Sequence, residues 1–314
     1  MSETEKIPLL VITTLSKAHQ ASLAERFALT YAPSPAERTA AVAAHGARVR
    51  AVLTIGVIGL TAQEMAAMPA LELVCCMGAG FELVDLEAAR ARGIVTANGQ
   101  GTNDDCVADH AMGLVIAAMR NFRMLDQNCR EGVWRLALPQ PPNVSGKRMG
   151  ILGMGLIGQK IAKRAGAFDM PIGYHNRTPK EGSPHRYFDN VKALAEWADV
   201  LVCAAPGGAA TKHLVNAEVL DALGPAGFLV NIGRGSVVDT DALAAALREG
   251  RIAGAGIDVY ESEPARPEQL VALDNLILTP HLAGWSPEAT QASFDRFLAN
   301  AEGHFAGRGV VSPI

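Results

Sequence analysis

The 314-residue sequence reads as an α/β protein made of two doubly wound parallel-sheet domains. Three features say so. Short apolar runs of strand length alternate with Ala-rich runs of helical period along nearly the whole chain. One strand-to-helix junction, Met149 to Ala162, carries glycines spaced G-x-G-x-x-G at Gly153, Gly155 and Gly158. With 49% hydrophobic residues, a chain of this length has the material for two sizeable cores.

The first hundred residues begin the alternation. Strands are expected at 9–13, 49–57, 71–75 and 94–96, and helices at 17–27, 35–45, 61–67 and 83–92, where apolar residues recur at helical spacing. Between the third strand and its helix lies Met77-Gly78-Ala79-Gly80-Phe81-Glu82. Its backbone amides make either an anion nest for a carboxylate or a plain tight turn, and the sequence leaves the two even. After Asn98-Gly99-Gln100-Gly101, the residues Asn103, Asp104 and Asp105 offer N-cap chemistry for one long interdomain helix to about Leu125. Val107, Ala111, Leu114, Val115 and Ala118 form its apolar stripe. Residues 130–142, with Trp134, Pro139, Pro141 and Pro142, suit an arm laid on another subunit better than a core element.

The glycine fingerprint comes next. Gly153 permits the tight turn, Gly155 lets backbone approach a pyrophosphate, and Gly158 lets the helix pack on the strand, with the helix N-terminus facing the phosphates. A second strand at 171–175 ends in His175-Asn176-Arg177-Thr178, with no acid to hold a ribose 2′-hydroxyl. Arg177 offers a planar fork for a 2′-phosphate, and Asn176 and Thr178 are neutral hydrogen-bond partners. The preference is therefore NADP(H), with NAD(H) as the weaker cofactor. Helices at 191–197, 217–223 and 240–249 and strands at 200–204, 228–232, 254–259 and 276–278 complete a domain from about 99 to 281. Ser286 and Pro287 then open a last helix to about Phe305, expected to cross back to the first domain.

A formal charge of −4 and the lack of a basic block leave no footprint for nucleic acid. The opening Met1-Ser2-Glu3-Thr4-Glu5-Lys6 is polar, and no apolar run is long enough to span a bilayer, which places the protein in the cytoplasm without a membrane partner. Five cysteines without paired spacing read as buried free thiols, and the histidines show no ligand spacing, so no metal is expected.

Ligands of open parallel sheets lie at the carboxyl ends of the strands, and three such ends are polar. Arg234 follows one strand between Gly233 and Gly235; Asp258 to Pro264 follows the next; His281 follows the last. An Arg, a Glu and a His converging there suit hydride transfer to a 2-keto acid. Arg234 would bind the carboxylate or keto oxygen, His281 would deliver the proton, and Glu263 would raise the histidine pKa.

At these residues the chain resembles the D-isomer-specific 2-hydroxyacid dehydrogenases, from about Leu71 to Trp285. The match covers Gly78-Ala-Gly with Val84-Asp85, Thr102 to Asp105 with Val107 to Ala111, the fingerprint, Ala205-Pro206 with Thr211, Asn231 to Asp239, Gly256 to Val259, Glu263-Pro264 and Pro280-His281. The resemblance implies Rossmann and flavodoxin-like domains with a closing cleft between them: a substrate domain of 1–98 and 282–314 and a dinucleotide domain of 99–281. It implies Arg234, Glu263 and His281 as catalytic residues, and Gly78, Ala79 and Gly80 at the substrate carboxylate. Cofactor contacts are implied at Gly153, Gly155, Leu156, Ile157, Gly158, Asn176, Arg177, Thr178, Ala205, Pro206, Thr211, Ile232, Gly233, Arg234, Asp258, His281 and Gly284, with Asp258 at the nicotinamide carboxamide. It also implies a homodimer through the dinucleotide domains.

The loop at Asn176 to Thr178 is most similar to NADPH-using glyoxylate and hydroxypyruvate reductases, so glyoxylate and hydroxypyruvate are the expected substrates. Trp285 replaces a small residue and either walls the substrate pocket or packs between domains. After Trp134 the arm offers only Leu136 and Leu138 where some relatives insert an aromatic into the partner's pocket. The alternatives are bulkier or aromatic 2-keto acids such as hydroxyphenylpyruvate, or a corepressor-like protein gated by dinucleotide. Formate-oxidising relatives carry Gln at the Glu263 position, which argues against that reaction.

Overall fold

The computed structural model describes residues 6–314; residues 1–5, most of the polar opening from which a cytoplasmic location is expected, lie outside them. The described chain forms two compact units, one reaching to Asn103 and including Trp285–Ile314, the other Asp104–Gly284.

In the first unit, β1 (Ile7–Val11), β2 (Phe27–Tyr31), β3 (Ala51–Ile55), β4 (Leu73–Met77) and β5 (Val95–Ala97) make a parallel sheet in the order β2-β1-β3-β4-β5. Strand periodicity sends Leu10, Val52, Val74 and Cys76 into a core with Met65 and Met68. Leu9, Val11, Leu53, Leu73 and Cys75 enter the core on the opposite face with Phe294 and Phe297. The two phenylalanines belong to α11 (Pro287–Phe305), which packs on β4 and so closes this sheet with a late segment of chain. Helices α1 (Lys17–Arg26), α2 (Pro35–His45), α3 (Ala62–Ala66) and α4 (Leu86–Ala91) start on Ser16, Ser34, Thr61 and Asp85, and Ser34 and Thr61 close capping boxes with Glu37 and Glu64.

Periodicity carries the first helix to Phe27 and gives no strand beyond it. In the structure the helix stops at Arg26 and Phe27–Tyr31 pairs with β1. Only Phe27 of this edge strand is buried, so no alternation marks it.

The second unit is a seven-stranded parallel sheet: β6 (Met149–Leu152), β7 (Ile172–His175), β8 (Arg186–Tyr187), β9 (Val200–Cys203), β10 (Phe228–Asn231), β11 (Gly254–Ile257) and β12 (Leu276–Leu278). Their order is β12-β11-β10-β9-β6-β7-β8. Both faces are covered, one of them by α8 (Val191–Trp197), α9 (Ala217–Leu223) and α10 (Thr240–Arg248), and β9 shows why its four residues are all apolar: Val200 and Val202 enter one core, Leu201 and Cys203 the other. The winding direction reverses between β6 and β9, the switch point where a doubly wound sheet opens a crevice.

The long helix expected from Asn103 is two helices, α5 (Asp104–Met119) and α6 (Phe122–Arg130). Asn121 between them is left-handed at φ 51°, a conformation that Asn tolerates better than most residues. The break lets α5 bury its stripe while α6 buries none of its residues. Strand β8 also escapes the sequence, being two residues long.

Cys75, Cys76 and Cys203 are buried free thiols, whereas Cys106 is half-buried and Cys129 exposed, which corrects the expectation of uniform burial. Among the described residues no helix is long and apolar enough to cross a membrane.

Candidate active site

The fingerprint loop is shaped by close approaches that exclude side chains. Gly153 turns at φ 102°, and a Cβ there would lie 2.8 Å from the Ala204 carbonyl carbon, in the loop after β9. A Cβ on Gly158 would lie 2.2 Å from the Gly153 carbonyl oxygen, so the first turn of α7 (Leu156–Ala165) presses directly on the turn before it. Gly155 differs, because nothing lies within 4 Å of its Cβ position. It is the N-cap of α7 and provides no side-chain cap, leaving the first amides of the helix for a ligand. The open Gly155 face and uncapped helix suit a pyrophosphate.

Asn176, expected to face a phosphate, accepts a 2.7 Å hydrogen bond from Met154 N through Oδ1 and so ties the end of β7 to the glycine turn. Arg177 and Thr178 are exposed, and Arg177 makes no hydrogen bond or ion pair among the described residues. Thr211 Oγ1 donates to Pro206 O at 2.8 Å and steadies the loop after β9.

Arg234 stands where three loops wedge together. A Cβ on Gly233 would lie 2.5 Å from Ala205 O, and one on Gly235 would lie 2.0 Å from the Tyr260 carbonyl carbon. Only glycines allow this backbone to pass between its neighbours. Buried Asn231 holds the turn, donating to Arg234 O at 3.0 Å and accepting from Gly233 N at 3.1 Å.

Glu263 divides its carboxylate. Oε1 accepts from Tyr260 N at 2.6 Å, and Oε2 faces His281 Nδ1 at 2.8 Å. Burial pushes the Glu263 pKa up, but the hydrogen bonds from His281 and Tyr260 outweigh it and hold the carboxyl below its usual range. An ionised carboxylate only accepts, so Nδ1 carries a proton and Nε2 is left for a reactant. The Glu263 hydrogen bond raises the His281 pKa; partial burial opposes it, the Glu263 charge adds to it and the Arg234 charge opposes it. Arg234 also lowers the pKa of Glu263, so its charge bears on both members of the pair. The three residues expected to carry chemistry are therefore electrostatically coupled.

His281 is left-handed at φ 53°, a conformation that costs a non-glycine residue about 1–2 kcal/mol. Asp258, with 0% exposure, holds it there. Asp258 O accepts from His281 N at 2.8 Å, while Oδ1 and Oδ2 accept from Leu282 N and Ala283 N, both at 2.9 Å. Thr279 Oγ1 donates to Oδ1 at 2.5 Å, committing its only proton, so the 3.0 Å contact from His110 Nε2 to Thr279 is the histidine's donation. Asp258 is thus the anchor of the histidine turn. His110 lies behind it, a role invisible in the sequence because 169 residues separate it from Thr279.

In the first unit, Gly78 turns at φ 75° after β4. Its carbonyl accepts from Gly99 N at 2.6 Å and that of Ala79 accepts from Asn98 Nδ2 at 2.8 Å. Across a trans peptide the carbonyl and the following N–H point in opposite directions. The amides of Ala79 and Gly80 therefore both turn away from residues 98–99, and neither has a hydrogen-bond partner among the described residues. Two adjacent amides without partners are what an anion nest needs. Trp285 is 73% exposed. Among the described residues no group of three or more His, Cys, Asp or Glu is placed to hold a metal ion.

The sequence profile of the D-isomer specific 2-hydroxyacid dehydrogenase NAD-binding domain matches residues 112–283. The chain is 39% identical over 312 residues to a hydroxyphenylpyruvate reductase of Plectranthus scutellarioides, covering 99% of both. It is 38% identical over 311 residues to a glyoxylate/hydroxypyruvate reductase of Arabidopsis thaliana, again covering 99% of both. Its fold superposes with a TM-score of 0.89 on an NADPH-dependent glyoxylate/hydroxypyruvate reductase of Sinorhizobium meliloti, solved with NADP and malonate, at 36% identity over 99% of this chain and 97% of that one.

Two outcomes test the geometry. Gly158→Ala, which drives a methyl into the Gly153 carbonyl, should destabilise the protein by about 1–3 kcal/mol and abolish dinucleotide binding. Gly155→Ala should keep the wild-type melting temperature and lose only affinity; identical melts for the two variants would refute the distinction. With His281 as the proton donor of ketone reduction, the rate should hold below its raised pKa and fall above it. Glu263→Gln removes the largest upward influence, and the falling limb should move to lower pH. An unmoved limb would detach the pair from catalysis.

Proposed function

The chain belongs to the D-isomer-specific 2-hydroxyacid dehydrogenases, and on that premise we propose an NADPH-dependent reductase that converts small 2-keto acids, glyoxylate and hydroxypyruvate first, to D-2-hydroxy acids. The observation that carries this reading is the 2.8 Å Glu263–His281 pair under the charge of Arg234. Membership of the family itself brings a nicotinamide dinucleotide and 2-hydroxyacid dehydrogenase chemistry.

The proposed division of labour follows from the groups present. The α7 N-terminus and Gly155 hold the pyrophosphate, with Leu156, Ile157, Pro206, Thr211, Ile232 and Gly284 around the dinucleotide. The bound reduced nicotinamide supplies the hydride. Arg234 draws electron density from the keto group through a charge-assisted hydrogen bond. His281 Nε2 gives its proton to the carbonyl oxygen, and Glu263 stabilises the protonated ring beforehand. The amides of Ala79 and Gly80 receive the carboxylate of the acid. Asp258 keeps the histidine turn in place, and its Oδ2, which accepts from Ala283 N, has a remaining lone pair for a carboxamide donor.

Preference for NADPH rests on Arg177, exposed and unengaged beyond a strand end that has no acid. A homodimer through the dinucleotide-binding unit is supported by the arm after α6, where Trp134 is 72% and Leu136 90% exposed. A second reading, reduction of aromatic 2-keto acids, is favoured by the exposed Trp285 and by full-length similarity to a hydroxyphenylpyruvate reductase.

The test is the loss of reduced-nicotinamide absorbance with glyoxylate, hydroxypyruvate, pyruvate and phenylpyruvate, each with NADPH and NADH. Fast turnover of the small acids with NADPH is expected; turnover of phenylpyruvate alone would establish the second reading, and none with any acid would remove both. In the same assay Arg177→Ala should raise the KM for NADPH and leave that for NADH nearly unchanged. Equal losses would reverse the cofactor assignment.

A further inference from the structure

One buried polar cluster of the first unit takes no part in the proposed reaction. Asn98, Asn300 and Ser312 are 3%, 1% and 8% exposed. Asn300, on α11, accepts from Val311 N at 2.7 Å and Ser312 N at 3.2 Å through Oδ1. Ser312 Oγ donates to Asn98 O at 2.5 Å, and Asn98 N donates to Ser312 O at 3.1 Å. Beside them Ile314 N donates to Thr96 O at 3.1 Å, and Thr96 Oγ1 returns a 2.9 Å bond to Ile314 O. Residues 311–314 thus lie along β5, pinned by α11, and grip Asn98 by both of its backbone groups.

The side chain of Asn98 is engaged as completely. Oδ1 accepts from Gln100 N at 3.1 Å, and Nδ2 donates to Ala79 O at 2.8 Å. That last bond fixes the peptide whose far side is the Gly80 amide. Gly78 and Gly80 flank the peptide pair, and with glycine on either side a peptide flip meets little steric resistance. Orientation of the nest therefore has to be imposed from outside, by Gly99 N and Asn98 Nδ2.

We propose that Asn98, held by Ser312 and Asn300, is the positioning residue of the keto-acid carboxylate site: the 311–314 segment sets how well this protein grips the acid end of its substrate. The inference rests on the reading that Ala79 and Gly80 receive that carboxylate. Glycolaldehyde, which has the aldehyde of glyoxylate without the carboxylate, separates the two ideas.

The experiment compares glyoxylate and glycolaldehyde in wild type, Asn98→Asp and Ser312→Ala. Wild type should favour glyoxylate strongly in kcat/KM. Asn98→Asp, which turns an acceptor toward the Ala79 carbonyl, should raise the glyoxylate KM roughly 10-fold or more, and Ser312→Ala, one bond removed, roughly 3-fold. The KM for NADPH and kcat/KM for glycolaldehyde should stay within about 2-fold. Losses shared by glyoxylate, glycolaldehyde and NADPH would mark a purely structural cluster and overturn the proposal, as would unchanged glyoxylate KM values in folded variants. A wild type that does not distinguish the two aldehydes would overturn the carboxylate reading, and this inference with it. Should Asn98→Asp fail to fold, Ser312→Ala, which keeps the Asn98 side chain, decides alone.

Discussion

The geometry of the candidate site depends on one buried charge. A carboxylate taken out of water costs several kcal/mol unless donors replace the water, and Asp258 has no exposed surface. Burial pushes its pKa up, but His110 Nε2, 3.4 Å from Oδ1, and the bonds from Thr279, Leu282 and Ala283 more than offset this, and it stays in the ionised range. Two of those donors are consecutive backbone amides. They reach both carboxylate oxygens only if the chain turns sharply after β12, and that turn puts His281 at its strained φ. The histidine is placed by the solvation needs of its neighbour.

The second constraint is crowding at the carboxyl ends of the strands. Gly153 against Ala204, Gly233 against Ala205 and Gly235 against Tyr260 are backbone-to-backbone contacts in which no side chain fits. They join the loops after β6, β9, β10 and β11, and they deliver Arg234 and Glu263 to the same edge of the sheet as His281. Substitution at any of the three would shift a loop, which is why Arg234 is bracketed by glycines.

Much of this was legible in the sequence because it is local. The fingerprint needs only six residues, and the strands of the second sheet are short apolar runs buried on both faces. The trio could be named because each member follows such a run. What escaped is what depends on distant chain. Phe27–Tyr31 becomes a strand by lying beside β1, not by its own pattern. The break at Asn121 follows from what α5 must bury, and His110 acquires its role only when β12 arrives next to α5. Asp258 follows a strand and so suggests a cofactor contact in the sequence, but its hold on the histidine turn is invisible until the chain has turned and brought the amides of Leu282 and Ala283 to it.

A common device links the two glycine-rich loops, one in each unit. In the first, the loop after β4 is steadied by Asn98, the residue following the adjacent parallel strand β5. In the second, the loop after β6 is steadied by Asn176, the residue following the adjacent parallel strand β7. Parallel neighbours end at the same edge, so a short amide side chain just beyond one strand reaches the loop just beyond the other. Asn suits the position because it offers both a donor and an acceptor on a short stem: Asn98 gives its NH₂ to a carbonyl, and Asn176 gives its oxygen to an N–H. Either way one peptide of a glycine loop is fixed and its neighbours are left facing outward. The anion recognition proposed for these loops would then require no charged side chain in the loop itself, only an asparagine just beyond a neighbouring strand.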